Sequence, residues 1–194
     1  GLAALLIEWD DGPHAKLNTD AIVGELEKAT LSSGAVAQNI GDTDKAMAGA
    51  TAKVEATYQV PFLAHATMEP MNCTVHVRKD GCEVWVGSQV VARAQAAAAK
   101  TAGLPSDKVV VHNHLIGGGF GRRLEIDGVI RAVQIAQHVD GPVKVVWTRE
   151  EDIQHDMYRP YWFDRLSAGL DEKGLPVAWS HRFAGSSVIA RWAP

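Results

Sequence analysis

Five consecutive residues, Gly117-Gly118-Gly119-Phe120-Gly121, carry four glycines between a strand pattern and an amphipathic helix pattern. Glycine opens the backbone to positive φ and close approach. A run of this kind ahead of a helix offers N–H groups to an anion, whether a phosphate or a metal-oxo group. Arg122 and Arg123 follow at once, where their charge opposes the helix dipole, so an anion or a partner carboxylate would offset the cost. The same letters also read as a tight turn with two solvated arginines. Two nucleotide signatures fail here. As G-x-G-x-x-G, Gly117 and Gly119 lead to Arg122, and Gly119 and Gly121 lead to Leu124; no Gly-Lys-Ser/Thr triplet occurs. Gln89 stands after Ser88 at a strand-to-helix junction, and its amide can donate to an oxo ligand and accept from a ring N–H. The alternative is a first-turn glutamine facing solvent.

Other candidates are weaker. Glu69, in the apolar stretch Pro61–Cys73, is either a carboxylate with a raised pKa or one that bonds loop N–H groups, and the second role is favoured. His112 and His114 place two imidazoles on one strand face, but there is no H-E-x-x-H, and Cys73 and Cys82 stand nine apart, a poor zinc set. Direct ligation of a metal by the protein is therefore not expected. Glu151 has capping-box spacing from Thr148. The aromatic and basic run Tyr158–Trp162 reads as core and rim rather than as a single-strand binding surface.

These residues need elements to position them. The 194 residues hold 19 Lys+Arg against 23 Asp+Glu, a formal charge of −4, which argues against a nucleic-acid partner. Hydrophobic residues are 46%, ordinary for a globular domain, and no stretch approaches the roughly 20 apolar residues of a membrane span. No signal or transit segment is visible, and the compartment is left open. Strands are expected at Leu5–Trp9, Lys53–Val60, Val109–His112 and Val143–Trp147. Hairpins are expected around Lys79-Asp80-Gly81 and Asp171–Gly174. Helices are expected after a cap at Asn18 or Thr19, over Asp42–Ala48, from Gln89 or Val90 to Ala102 with Ser88 as cap, along Ile126–Ala136, and after Thr148. Hairpins without a strict βαβ rhythm define an α+β fold: a mixed sheet with hairpins and packed helices. Residues 1–50 read as the tail of a preceding α/β element and 51–194 as one further domain segment. Pro61–Cys73 has no period and reads as a buried or site-lining loop. The chain opens at Gly1 in the middle of an apolar run, as a cut piece of something longer would.

Pro61-Phe62-Leu63-Ala64-His65-Ala66-Thr67-Met68-Glu69-Pro70-Met71-Asn72-Cys73, Gly87-Ser88-Gln89 and Gly117–Arg123 together resemble the molybdenum hydroxylase large subunit, the xanthine dehydrogenase and aldehyde oxidase family. Within it they resemble the isoquinoline 1-oxidoreductase large (beta) subunit branch, as do Pro142–Ile153 and His155–Pro160. The resemblance implies a middle fragment of that subunit, with 51–194 a molybdenum-cofactor-binding segment. It implies molybdopterin with molybdenum, in the cytosine dinucleotide form, held by Gln89, Gly118, Gly119, Phe120, Gly121 and Arg122, with Gln89 near the metal's oxo group. Leu124 stands where xanthine dehydrogenases carry a Glu, so Leu124 is the substrate-pocket candidate, and a less polar heteroaromatic or an aldehyde is implied over a purine. The family's general-base Glu falls outside this chain, so no catalytic residue is assigned within it. The implied partners are the remainder of the large subunit, a small iron–sulfur subunit and a small-molecule substrate. The implied reaction is hydroxylation with oxygen from water, and an isolated fragment would be inactive. Without the resemblance, the glycine run alone leaves a stand-alone phosphate- or nucleotide-binding module, or a protein-interaction module, open.

Overall fold

The structure, a computed structural model, describes residues 5–191. Its contacts define two units. One joins the chain up to Phe62 with the chain from Pro160 onward, and the other is continuous, Leu63–Arg159. The units therefore meet in sequence at 62/63 and 159/160.

In the discontinuous unit, α1 (Thr19–Thr30) is capped by Asn18, whose side chain accepts from the Ala21 N–H at 2.9 Å, and α2 (Thr43–Ala48) is capped likewise by Asp42. Strand β1 (Ala52–Val60) is an edge strand, pairing antiparallel with β6 (Trp162–Leu170), which pairs antiparallel with β7 (Pro176–Gly185). Both helices pack against β6 and β7, so the first fifty residues share this unit with its last strands. Arg165 reaches from β6 to α1, donating to Thr30 at 2.9 Å and to Glu27 at 3.1 Å. The strand expected at Leu5–Trp9 is not formed. These residues pair with no ladder, and Leu6 and Trp9 lie open to solvent.

The continuous unit is a two-layer sandwich. Its sheet runs β4 (Val109–Asn113), β3 (Cys82–Val86), β2 (Asn72–Val77), β5 (Val143–Val146), with β3 parallel to β4 and β2 antiparallel to both β3 and β5. The sheet is therefore mixed, as the hairpin pattern implies. Alternation puts Cys73, Val75, Cys82, Val84, Val86 and Val109 on the covered face. Against it lie α3 (Val91–Ala102), through Ala94, Ala98 and Ala99, and α4 (Asp127–Ala136), through Val129, Ala132, Val133 and Ala136. The small alanines let the helices approach the sheet and each other closely, and each fully buried valine contributes roughly 1.5 kcal/mol or more. Burial pushes the Cys73 thiol up to about 12 and raises that of Cys82, so both are inert core groups and neither is bridged. Gly103 closes α3 as a left-handed cap. A short α5 (Arg149–Gln154) starts at Thr148, whose hydroxyl accepts from the Glu151 N–H at 3.2 Å. No helix among the described residues is long and apolar enough to cross a membrane.

Candidate functional site

Three segments of the continuous unit converge: the loop before β2, the β3–α3 junction and the glycine run after β4. Glu69 ties the first to the third. It accepts from the Gly117 N–H at 2.9 Å and the Asn72 amide at 2.9 Å, while its own N–H donates to the Gly117 carbonyl at 3.1 Å. Burial alone would raise its pKa, but the Gly117 and Asn72 hydrogen bonds and the charges of Arg123 and Lys144 outweigh burial and lower it. Glu69 is thus the loop-bonding carboxylate of the two roles open to it. Of the Pro61–Cys73 stretch, Thr67, Met68 and Glu69 reach the glycine run; only Thr67, Met71 and Cys73 of the stretch are buried, and Met68 is almost fully exposed.

Arg123 is the hub. It is the largest fully buried side chain among the described residues. Its guanidinium donates to the Gly118 carbonyl (2.9 Å), the Gly87 carbonyl (3.3 Å), and the carbonyl and carboxylate of Glu69 (3.1 and 2.7 Å). Its own carbonyl accepts from the Gln89 N–H at 3.1 Å. One side chain therefore fixes all three segments. Arg122 is buried as well, gripping Asp127 through two bonds of 2.8 Å, with Nε 2.6 Å from Asp156 Oδ1 in an ion pair whose angle is too poor for a hydrogen bond. Burial lowers the pKa of Arg122, but Asp127, Asp156 and Asp152 more than reverse this, and the same pairing holds Asp127 below its ordinary range against the effect of burial. The two arginines are not solvated, and they are not in the first turn of α4. The glycine run passes into one 3-10 turn, Arg122–Leu124, and α4 begins only at Asp127. The carboxylates that offset their charge come from within the chain.

Gln89 lies outside α3, which starts at Val91. Ser88 accepts from the Val90 N–H at 3.0 Å but does not cap the helix. The glutamine side chain reaches the glycine run directly: a Cβ added at Gly119 would stand 2.7 Å from Gln89 Oε1. Only a residue without Cβ permits that approach. The amide of Gln89 and the N–H groups of Gly118, Gly119, Phe120 and Gly121 meet no partner among the described residues. Gly121 has φ 103°, and Phe120, a residue 67% exposed, is held at φ 51°, a region that costs a non-glycine residue about 1 kcal/mol or more. Leu124 is half-buried at the end of the turn, its N–H donating to the Gly121 carbonyl at 3.1 Å.

The outlying candidates do not join the site. His112 stacks on Trp85 at 4.9 Å and bonds Glu83 at 3.1 Å, whereas His114 lies beyond the end of β4, so the two do not share a strand face. Tyr161 is buried and Tyr158 exposed. Three contributors carried no local signal: His65, Asp156 and Arg149. Asp156 takes the His65 N–H and ring Nδ1 from 91 residues away, and Arg149 holds the Thr67 and Met68 carbonyls from the far side of β5 in sequence.

A strained aromatic, a bare stretch of main chain with open N–H groups and an unpaired amide thus lie together on a buried ion network. The chain belongs to the molybdopterin cofactor-binding domain family, whose model matches residues 26–187. It is 30% identical to isoquinoline 1-oxidoreductase subunit beta of Brevundimonas diminuta over 99% of this chain and 26% of that protein. It is 32% identical to the aldehyde oxidoreductase molybdenum-binding subunit PaoC of Escherichia coli K12 over 74% of this chain and 20% of that one. The chain thus spans about a quarter or less of these relatives and matches a segment of molybdenum hydroxylase large subunits. Among solved structures, quinoline 2-oxidoreductase from Pseudomonas putida 86 has the same fold over 73% of this chain and 18% of its own, with a TM-score of 0.63 at 16% identity. The aldehyde oxidoreductase of Desulfovibrio desulfuricans matches over 75% of this chain and 16% of its own, with a TM-score of 0.64 at 16% identity.

Proposed function

We propose that Gln89, Gly118, Gly119, Phe120, Gly121 and Arg122 seat molybdopterin in its cytosine dinucleotide form, within a longer large subunit that hydroxylates an N-heteroaromatic or aldehyde carbon with oxygen from water. The observation that carries this is the approach of the Gln89 amide to the bare Cα of Gly119. When bound, the cofactor supplies the two-electron redox chemistry, and the protein supplies orientation, donors and shape. The N–H groups of Gly118–Gly121 face the anionic part of the group, and the Gln89 amide orients what lies beside Gly119. Arg122 acts on the loop from beneath, since Asp127 and Asp156 hold its guanidinium and its N–H donates to the Gly119 carbonyl at 2.7 Å. Leu124 offers the substrate an apolar side chain, in keeping with a heteroaromatic or aldehyde rather than a purine. The segment 51–194 provides these residues from its continuous unit. A small iron–sulfur subunit takes the electrons, and the general base comes from a part of the subunit outside this chain.

The test uses the full-length subunit with its partners. Molybdenum and pterin content are measured for wild type, Gln89→Ala and Gly119→Ala. The added methyl of Gly119→Ala meets only side-chain ends, the Gln89 amide and the Ile116 Cδ1, and no backbone, so the fold is kept while cofactor retention falls about tenfold, the scale of one lost charge-assisted contact. Wild type that holds no molybdenum but binds a plain nucleotide in a Gly121-dependent way would make this a nucleotide-binding module instead.

A further inference from the structure

We propose that His65 is a further ligand-contacting residue of this site, accepting at ring Nε2 from an N–H or O–H of the group seated on Phe120–Gly121; the assignment rests on the cofactor reading above. The ring is largely buried, its side chain 10% exposed. Nδ1 stands 2.8 Å from Asp156 Oδ2, which also accepts the His65 backbone N–H at 2.5 Å, so the ring is fixed at both its root and one nitrogen. The other oxygen of Asp156 is occupied by the Met157 N–H at 2.7 Å and the Arg122 ion pair at 2.6 Å, and Arg122 is itself locked on Asp127. A carboxylate acceptor assigns the proton to Nδ1 and orients the imidazole, as the carboxylate behind a working histidine does. That leaves one nitrogen, and it faces the loop: Nε2 lies 3.8 Å from the position of a Cβ on Gly121, whose φ of 103° keeps that side bare. Nε2 meets no partner among the described residues.

The fit is with a group that carries both anionic oxygens and a donor of its own. The N–H groups of Gly118–Gly121 present donors to its oxygens, and Nε2, with the ring proton held on Nδ1 by Asp156, adds one acceptor beside them. The same arrangement gives Arg122 a role its burial would otherwise obscure. Through Asp156 it sets the ring that meets the ligand, which makes Arg122 a positioning residue.

Two substitutions separate contact from scaffold. In His65→Asn the amide stands near Nδ1 and keeps the bond to Asp156 but offers nothing at Nε2. In His65→Gln the amide reaches the Nε2 position and gives up the Asp156 bond. Both are made in the full-length subunit with its partners. Molybdenum and pterin released per hour on dialysis are measured beside thermal unfolding of the cofactor-free form. Asn is expected to release cofactor about tenfold faster than wild type with its cofactor-free unfolding temperature unchanged, and Gln to recover most of the retention. A purely structural histidine gives the opposite order, Asn like wild type and Gln impaired, and that order overturns the proposal. Equal loss in both variants, or none in either, overturns it too. Wild type without molybdenum removes the cofactor reading and this assignment together, whereas retention by wild type and Asn alike removes this assignment alone.

Discussion

Within the continuous unit the helix–sheet core and the loop cluster are built on opposite chemistry. The core is Val, Ala and Cys: thirteen buried residues without one charge, brought together by alternation along strands and by i, i+4 spacing along α3 and α4. The cluster is Arg122, Arg123, Arg149, Glu69, Asp127, Asp152 and Asp156, in which the two most buried cations, Arg122 and Arg123, are met by carboxylates and by main-chain carbonyls. Apolar burial is non-directional and tolerates small shifts. A guanidinium with four fixed acceptors does not, so the cluster holds three irregular segments in one geometry where a greasy core would let them slide. The difference teaches what each is for: the core supplies stability, and the ions fix the position of the glycine-run main chain, with Gln89 beside it, at the proposed seat.

The largest effect should come from breaking the hub. Arg123→Met fills much of the same volume but takes the donor away from the Gly87, Gly118 and Glu69 carbonyls, a loss of about 3 kcal/mol at roughly 1 kcal/mol for each acceptor left unpaired, to which the partly exposed Glu69 carboxylate adds little. Urea unfolding should show that loss, and hydrogen exchange should speed first at Gly117 and Glu69, whose N–H groups are bonded across the two loops. Exchange that speeds evenly across β3 and the loops would mean that Arg123 is no more than another core residue. The counterpart in the core is Val133→Ala, at a site with no exposed surface. About 2 kcal/mol is expected from the lost methyl groups and the cavity, with cofactor retention by the full-length subunit unchanged once the protein is folded. If retention falls in step with stability, the separation of duties between core and cluster is wrong.

The same contrast decides what could be read from the letters. Val75, Val84, Val129 and Val133 announce their strands and helices within a few residues, and Asn18, Thr148 and Gly103 mark ends by local capping. Leu5–Trp9 has a strand's composition, but a strand needs a ladder as well as an apolar run, and no partner meets it among the described residues. The closeness of Gln89 to the glycine run was legible only through the family resemblance, since thirty residues part Gln89 from Gly119 and no spacing rule joins them. The identity of the counter-charges was not legible at all. An arginine after a glycine run looks the same on a string whether it meets solvent or Asp156, 34 residues on. His65 was one of eight histidines without a ligand pattern, and its neighbour Asp156 lies 91 positions away.

The smallest predicted effect separates the two regions by acid. The core has no carboxylate to titrate, but Glu69 has a pKa lowered on folding, so its contribution to stability is fully present above the unfolded value of about 4.3 and is lost as pH falls through the lower folded value. Because the Glu69 side chain is 39% exposed, solvent screens the pairing, and the loss should be a few tenths of a kcal/mol and at most about 1. Urea midpoints of wild type and Glu69→Gln, taken from pH 6 down to pH 3, should converge as the wild-type carboxylate protonates. Asp127 titrates in the same direction in both proteins and cancels in the comparison. Convergence accompanied by faster exchange at the Gly117 N–H, which donates to the carboxylate, would place the acid-sensitive joint at the seat itself. A difference between the two proteins that stays constant over the whole range would show that the carboxylate's charge contributes nothing there, and that Arg123 holds the loops through carbonyls alone.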